Sequence, residues 1–279
     1  MILTQVVTNG MFAGLFCVRK DFMAMLCKAT RYRFGKLSRN LSRLWTKCRS
    51  RFVVERDFSR FRKMTDGRFP IRWRDRRLYI RDKTAKSGFD RHYVYHTAWG
   101  ARMLQKIRPA QHVDISSLLY FSTLASAFVP IQFYDYRPAD IHLENLTAGA
   151  VDLTKLPFAD GSVESLSCMH VVEHVGLGRY GDPIDPQGDL KAIAELKRVL
   201  RPGGHLLFVV PVGEARIRFN ANRIYAFDQV VEAFAGLELV EWALITDDGK
   251  PDGLVANAPK ELFARQYEGT GCFLFRRLG

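Results

Sequence analysis

The stretch CMHVVEHVGLGRYGDP, residues 168–183, places Glu173 and His174 three and four residues after His170. On a helix, that spacing would bring all three side chains to one face. Two imidazoles and a carboxylate can ligate zinc or another divalent metal. A neutral imidazole near pH 7 can instead take a proton from a hydroxyl, which makes His170 or His174 a candidate general base with Glu173 beside it. HVVEH also fits the H-x-x-E-H pattern of a zinc-peptidase group. That pattern needs a long helix, whereas this segment follows a strand-like apolar run and meets Gly176 and Gly178 within four residues, so a peptidase is not expected. A third reading is structural, with Glu173 and His174 pinning a loop by hydrogen bonds. Downstream, Gly176, Gly178 and Gly181 permit tight turns, and Arg179 offers a guanidinium to an anionic or hydroxyl-rich acceptor.

The elements that must position these residues follow from apolar runs that alternate in length and period. Strands are predicted over 111–115, 130–136, 148–153, 162–169, 205–211, 237–245 and 271–277, with helices over 117–128, 187–200 and 225–235. In the helix over 187–200, Leu190, Ile193, Ala194, Leu196 and Leu200 share one side. Pro202 and Gly203 suit the centre of a type II turn after it. Strands alternating with helices imply a doubly wound α/β fold with a mainly parallel, seven-stranded sheet. Residues 247–269 read as a long connection before the last strand.

Ligands of open parallel sheets bind beyond the carboxyl ends of the strands. That rule gathers Asp114, Asp135, Asp152 and the 168–183 stretch around one crevice. Carboxylates at successive strand ends suit a ligand with ribose hydroxyls and a nucleobase amine, since they accept hydrogen bonds from both.

In VDLTKLPFADGSVESLSCMHVVEHV and AELKRVLRPGGHLLFVVP the chain resembles a class I S-adenosylmethionine-dependent methyltransferase, a Rossmann-like transferase, over roughly residues 95–279. HYVYHTAWGAR, EHVGLGRYGDP and FNANRIYAF are similar to a methyltransferase-like family catalogued as a domain of unknown function, whose members often occur beside enzymes of surface-glycan assembly. The resemblance implies S-adenosylmethionine as cofactor. It assigns Asp114 to the methionine end, Asp135 to the ribose, Asp152 and Leu153 to the adenine, and Met169 with His170 to the cofactor wall. It also implies a substrate-side role for His170, Glu173, His174 and Arg179. The acceptor it suggests is a sugar in a glycan or glycolipid precursor, or another small hydroxylated molecule, with polysaccharide biosynthesis as the setting. Some such enzymes carry a metal-binding Glu-x-x-Glu-His cluster at this point; with His170 in place of the first glutamate, a divalent metal is not the favoured role. The first loop departs from the family pattern, because Ser116, Leu118 and Tyr120 stand where alternating glycines are usual. Losing glycines that adopt positive φ could reshape the pocket, while Ser116 and Ser117 could still donate hydroxyls or cap the next helix.

Charge divides the chain. Residues 1–110 carry 27 Lys and Arg against 7 Asp and Glu, and residues 111–279 carry 15 against 22. The basic part, taken as an extension over residues 1–92 ahead of a domain over 93–279, suits an anionic partner. A membrane surface is the first candidate, with an apolar helix near Met11–Leu26 lying at the interface and a polybasic follow-on, although a helix packed on the main domain explains the same pattern equally well. A nucleic-acid backbone is the second and less favoured, in which case the protein would be an RNA methyltransferase. A solvated basic face, or a methyltransferase fold reduced to a binding module, are the remaining readings. Residues 30–92 are expected to be irregular. The first eighteen residues lack a basic start and include Gln5, Thr8, Asn9 and Gly10, which argues against a secretory signal. Five cysteines without a C-x-x-C pair read as free or buried thiols. Together these features lead to an expectation of a cytoplasmic enzyme, peripheral at the membrane.

Overall fold

The computed structural model describes residues 51–79, 82–249 and 253–279. The chain divides into two units, Met1–Ser87 and Gly88–Gly279. The apolar helix expected near Met11–Leu26 lies outside the described residues, as do Cys17, Cys27 and Cys48. Among the described residues, no helix is long and apolar enough to cross a membrane.

In the first unit, a helix (α1) covers residues 51–64, where an irregular arm was expected. The segment RFVVERDFSRFRKM holds neither Gly nor Pro, and Arg51 pairs with Glu55 one turn on at 3.0 Å. A short 3-10 turn, Trp73–Asp75, follows, with Trp73 edge-on to Phe58 at 4.9 Å.

The second unit opens with α2 (Arg91–Ile107), whose first turn is closed by the Asp90 carboxylate accepting from the Tyr93 amide at 3.2 Å. The strands are β1 (His112–Ile115), β2 (Ile131–Asp135), β3 (Leu146–Ala150), β4 (Val163–Met169), β5 (Leu200–Val212), β8 (Leu237–Ile245), β9 (Val255–Ala256) and β10 (Gly269–Arg277). They form one sheet in the order β3-β2-β1-β4-β5-β10-β8-β9. The expected seven strands are thus eight in the sheet, because Val255 and Ala256, inside the presumed connection, pair with Leu244 and Ala243. Strands β1 to β5 pair in parallel, whereas β10 runs antiparallel to both β5 and β8. A separate ribbon, β6 (Arg216–Arg218) with β7 (Asn222–Ile224), lies outside this sheet.

Both sheet faces are apolar, as the two-sided burial of a doubly wound sheet requires. Along β5, Leu206, Phe208 and Val210 join the core beneath α4 (Gly188–Val199), α5 (Phe227–Ala233) and α6 (Lys260–Ala264). The intervening Leu207 and Val209 join Trp99, Leu104 and Phe121 from α2 and α3 (Leu119–Ala125) on the other side. Burying such a side chain contributes about 1.5–3 kcal/mol. At the turn expected around Pro202 and Gly203 the β4–β5 pairing is interrupted, from Leu200↔Val163 to His205↔Ser165, and Gly203 has φ 76°, the positive value that the third residue of a type II turn takes.

Candidate active site

The strand ends place the candidate residues by register. Asp114 on β1 lies abreast of Ser167 on β4, and its Oδ1 accepts from Ser167 Oγ at 2.5 Å. Ser122 from α3 donates to the other oxygen. Asp114 is fully buried and lines neither cavity described below. Burial raises its carboxyl to about 6, against the pull of hydrogen bonds from Ser117, Ser122 and Ser167. Instead of facing the crevice, it braces the turn that leaves β1.

Ser116 in that turn has φ 54°, so a left-handed residue stands where glycine was missed. Its amide donates to the Tyr134 carbonyl at 2.6 Å, which helps hold the strained residue in place. Neither Ser116 nor Ser117 caps α3, whose N-cap is Leu118. The Ser117 hydroxyl accepts from the Met169 amide at 3.1 Å, tying the β1 turn to the end of β4.

Two adjoining cavities open over these strand ends. The first, about 320 Å³, is walled by Ser116, Asp135, Asp152, Leu153, His170 and Tyr180 among others. Asp135 Oδ1 accepts from the Arg137 amide at 2.8 Å, and Asp152 Oδ1 from the Thr154 amide at 2.8 Å, which orients each carboxylate. The second, about 750 Å³, is lined by Met169, His170, Glu173, His174, Arg179 and Thr270, with Tyr93 and Asn222 among the rest. His170, His174, Ser116, Asp135, Arg137 and Tyr180 border both.

The His-Glu-His cluster sits on a single 3-10 turn, Val172–His174, and not on a long helix. His170, at φ 59°, closes β4 and donates from Nδ1 to Glu173 Oε1 at 2.9 Å. The same oxygen lies 3.8 Å from His174 Nε2. His174 Nδ1 donates to the Ala221 carbonyl at 2.7 Å, and Arg179 shares that carbonyl at 3.1 Å. A carbonyl can only accept, so the proton of a neutral His174 is on Nδ1 and its Nε2 carries the lone pair. Glu173 is 1% exposed, and its Oε2 is buried without a hydrogen-bond partner. Among the described residues, no group of three or more His, Cys, Asp or Glu is arranged to hold a metal ion.

Several residues of this site were not singled out from the sequence. His92 Nδ1 meets Thr270 Oγ1 at 2.8 Å, and Thr270 meets His170 Nε2 at 3.3 Å, so α2 and β10 both reach the cluster. Arg223 is 5% exposed; it donates to Val175 O at 2.6 Å and Pro186 O at 3.3 Å and lies 3.5 Å from Asp189. Tyr225 donates to the same Asp189 at 3.0 Å. Asp182 gathers the amides of Gly176, Gly178 and Tyr180 on its carboxylate. His92, Arg223 and Tyr225 do lie in the stretches HYVYHTAWGAR and FNANRIYAF, whose polar and aromatic residues were the available signal.

A family model described as a Caenorhabditis protein of unknown function, DUF268, matches residues 157–258, which include the His-Glu-His turn and the β6–β7 ribbon. No curated protein matches the chain. Solved structures resemble it in part. One is from the complex between the Haloferax volcanii Trm112 methyltransferase activator and a methyltransferase, at 21% identity, covering 68% of this chain and 91% of that one, with a TM-score of 0.46. Another is the Burkholderia thailandensis 1,6-didemethyltoxoflavin-N1-methyltransferase with bound S-adenosylhomocysteine, at 11% identity, 66% and 79% coverage, and a TM-score of 0.46. A third is the N-methyltransferase NodS of Bradyrhizobium japonicum with S-adenosylhomocysteine, at 15% identity, 65% and 87% coverage, and a TM-score of 0.46. At these values the likeness carries no residue role.

Proposed function

We propose that the unit over residues 88–279 is an S-adenosylmethionine-dependent methyltransferase that methylates a hydroxyl oxygen of a glycan or another small hydroxylated acceptor. The observation that carries this reading is the first cavity, where the ends of parallel strands bring Ser116, Asp135, Asp152 and Leu153 to one wall. Its volume of about 320 Å³ lies within the roughly 300–1,000 Å³ of small-molecule sites. The donor set fits the cofactor's chemistry: Asp135 would accept from the ribose hydroxyls, Asp152 from the adenine amine, and Leu153 would offer apolar contact. The positive φ of Ser116 supports a binding-competent first turn without glycine.

When bound, the cofactor supplies a methyl carbon made electrophilic by its sulfonium. The chain's own residues then bind and hold the acceptor in the adjoining cavity, where alignment contributes more than basicity to methyl transfer. His174 Nε2, with its tautomer fixed by the Ala221 carbonyl, takes the proton that the acceptor hydroxyl releases. Glu173 Oε1, 3.8 Å from that nitrogen, stabilises the resulting imidazolium.

The test is calorimetric titration of the full chain with S-adenosylmethionine and S-adenosylhomocysteine, alongside Asp135→Ala. Both ligands are expected to bind, and Asp135→Ala is expected to weaken them by on the order of tenfold or more, the worth of a charge-assisted hydrogen bond. A folded wild-type chain that binds neither ligand would defeat the reading.

A further inference from the structure

We infer that the acceptor is an anionic polyol, a sugar carrying a phosphate or a carboxylate, whose oxyanion is held by Arg137 and Arg179 across Tyr180 while a hydroxyl donates to Glu173. This rests on the methyltransferase reading and narrows its acceptor. The first observation is a stack at the border of the two cavities. The Arg137 guanidinium lies 4.8 Å from the centre of the Tyr180 ring and that of Arg179 lies 5.0 Å from it. Two cations thus share one aromatic ring on the wall of the larger cavity.

The second observation concerns which charges remain to be satisfied. Apart from Glu173, the carboxylates on that wall each accept a hydrogen bond inside the protein. Asp90 accepts from the Tyr93 amide, Asp135 from the Arg137 amide, and Asp247 from the amides of Tyr267 and Glu268. Glu268 is bound by Arg218 and Asn222. The guanidiniums are not engaged in this way. Among the described residues, that of Arg137 makes no hydrogen bond or ion pair, and Arg179 uses Nη1 alone, donating to the Ala221 carbonyl. A planar guanidinium with open donors matches the geometry of phosphate and carboxylate oxygens.

Glu173 Oε2 supplies the third point. It is buried and unpartnered, on a side chain that lines the same cavity. A buried carboxylate oxygen left without a donor is costly, so an acceptor hydroxyl that reaches it gains by that contact. The two guanidiniums therefore select an anion, and Glu173 selects a hydroxyl beside it. A plain polyol would leave the arginines unused, and a bare anion would leave Glu173 unused.

The experiment is calorimetry on the full chain saturated with S-adenosylhomocysteine, using glucose 1-phosphate, glucuronate, glucose and inorganic phosphate as probes. Glucose 1-phosphate or glucuronate is expected to bind at least tenfold more tightly than glucose, and their order tells phosphate from carboxylate. Arg179→Gln, which leaves the first cavity's lining intact, should weaken the anionic sugar by on the order of tenfold, with S-adenosylhomocysteine still bound. Glu173→Gln should weaken the anionic sugar and leave inorganic phosphate unaffected. Glucose binding as well as its phosphate, inorganic phosphate matching the sugar phosphate, an indifferent Arg179→Gln, or no probe binding while S-adenosylhomocysteine binds would each overturn the proposal and leave the methyltransferase reading standing. Failure to bind S-adenosylhomocysteine would remove both.

Discussion

His112 spends both ring nitrogens on serine hydroxyls, Nδ1 on Ser165 and Nε2 on Ser167, each at 2.8 Å. Burial pushes this ring down to about 3, and His96 is held at about 3 by burial and then by the neighbouring His170. In the unfolded chain both return toward 6.5, so between those values the unfolded state binds more protons. The stability these rings contribute is therefore present above about pH 6.5 and is lost as pH falls toward 3. Asp114 acts in the opposite sense. Its carboxyl, raised by burial to about 6 from 3.8, holds a proton in the folded state first, so its share of stability grows as pH falls through that window. Two imidazoles against one carboxyl leave a net loss of about 1.4 kcal/mol per pH unit between roughly pH 6 and 4. Asp114→Asn removes the offset and should about double that slope in urea unfolding midpoints measured across the range. Equal slopes for the two proteins would show that Asp114 carries no raised carboxyl. The same buried network explains why Asp114, readable as a strand-end acid, braces the crevice from below while Asp135 and Asp152 face it.

The loop from Val175 to Gly188 depends on a backbone that only glycine fits at one point. Gly176 has φ 81°, and a Cβ there would stand 2.1 Å from the Asp185 carbonyl oxygen. Gly181, at φ 88°, has open space around the same position. Gly176→Ala should therefore destabilise the unit by several kcal/mol, through both the φ and the clash, whereas Gly181→Ala should cost about 1 kcal/mol. Thermal unfolding of the two variants checks this; similar melting temperatures would mean that the loop moves away from Asp185 without cost. From the other side, Arg223 holds the loop through the Val175 and Pro186 carbonyls, and Arg223→Met should cost about 3 kcal/mol because it leaves Asp189, itself 7% exposed, without its cation and with only the Tyr225 hydroxyl to donate to it. Retained stability in that variant would show that the Tyr225 hydroxyl alone suffices for Asp189. These elements also mark how far the sequence could be read. Most strands of the sheet were legible because they are apolar runs between turn residues, and helix α4 because Ile193, Leu196 and Val199 recur at helical period, although Leu190 and Ala194, expected on that side, are exposed. Strand β9 was not, because Val255 and Ala256 are too few to show a period and pair only through tertiary contact. Ser116 hid the first turn, since nothing in a serine announces φ 54°. His92, Thr270 and Arg223 were hidden because the hydrogen-bond partners of their side chains lie between 37 and 178 residues away in the chain, and local pattern does not encode such distances.

At the scale of the whole molecule, charge separates the two units as sharply as their contacts do. Residues 51–79 carry ten Lys and Arg against four Asp and Glu. Few of these cations are neutralised, the pairs being Arg51 with Glu55, Arg56 with Asp57, and Arg74 with Asp75. Among the cations stand large apolar side chains open to solvent, with Phe61 65%, Met64 72% and Phe69 65% exposed. Cations alone would serve any polyanion. The accompanying aliphatic and aromatic side chains gain from burial in the boundary between headgroups and acyl chains, and Met64 and Leu78 in particular offer nothing for a base to stack on. We propose a lipid surface rich in anionic headgroups as the partner that would use both features. The full chain is expected to co-sediment with vesicles containing phosphatidylglycerol and not with vesicles of phosphatidylcholine alone. Raising salt to about 0.5 M, where the Debye length shrinks to about 4 Å, should release most of it. Replacing Phe61 and Met64 together by Ser should weaken binding at low salt, because it removes the apolar part and leaves the charge. Equal binding to the two kinds of vesicle, or an unchanged double variant, would count against a membrane role. Salt-sensitive binding to single-stranded RNA with no vesicle binding would transfer the basic unit to nucleic acid instead.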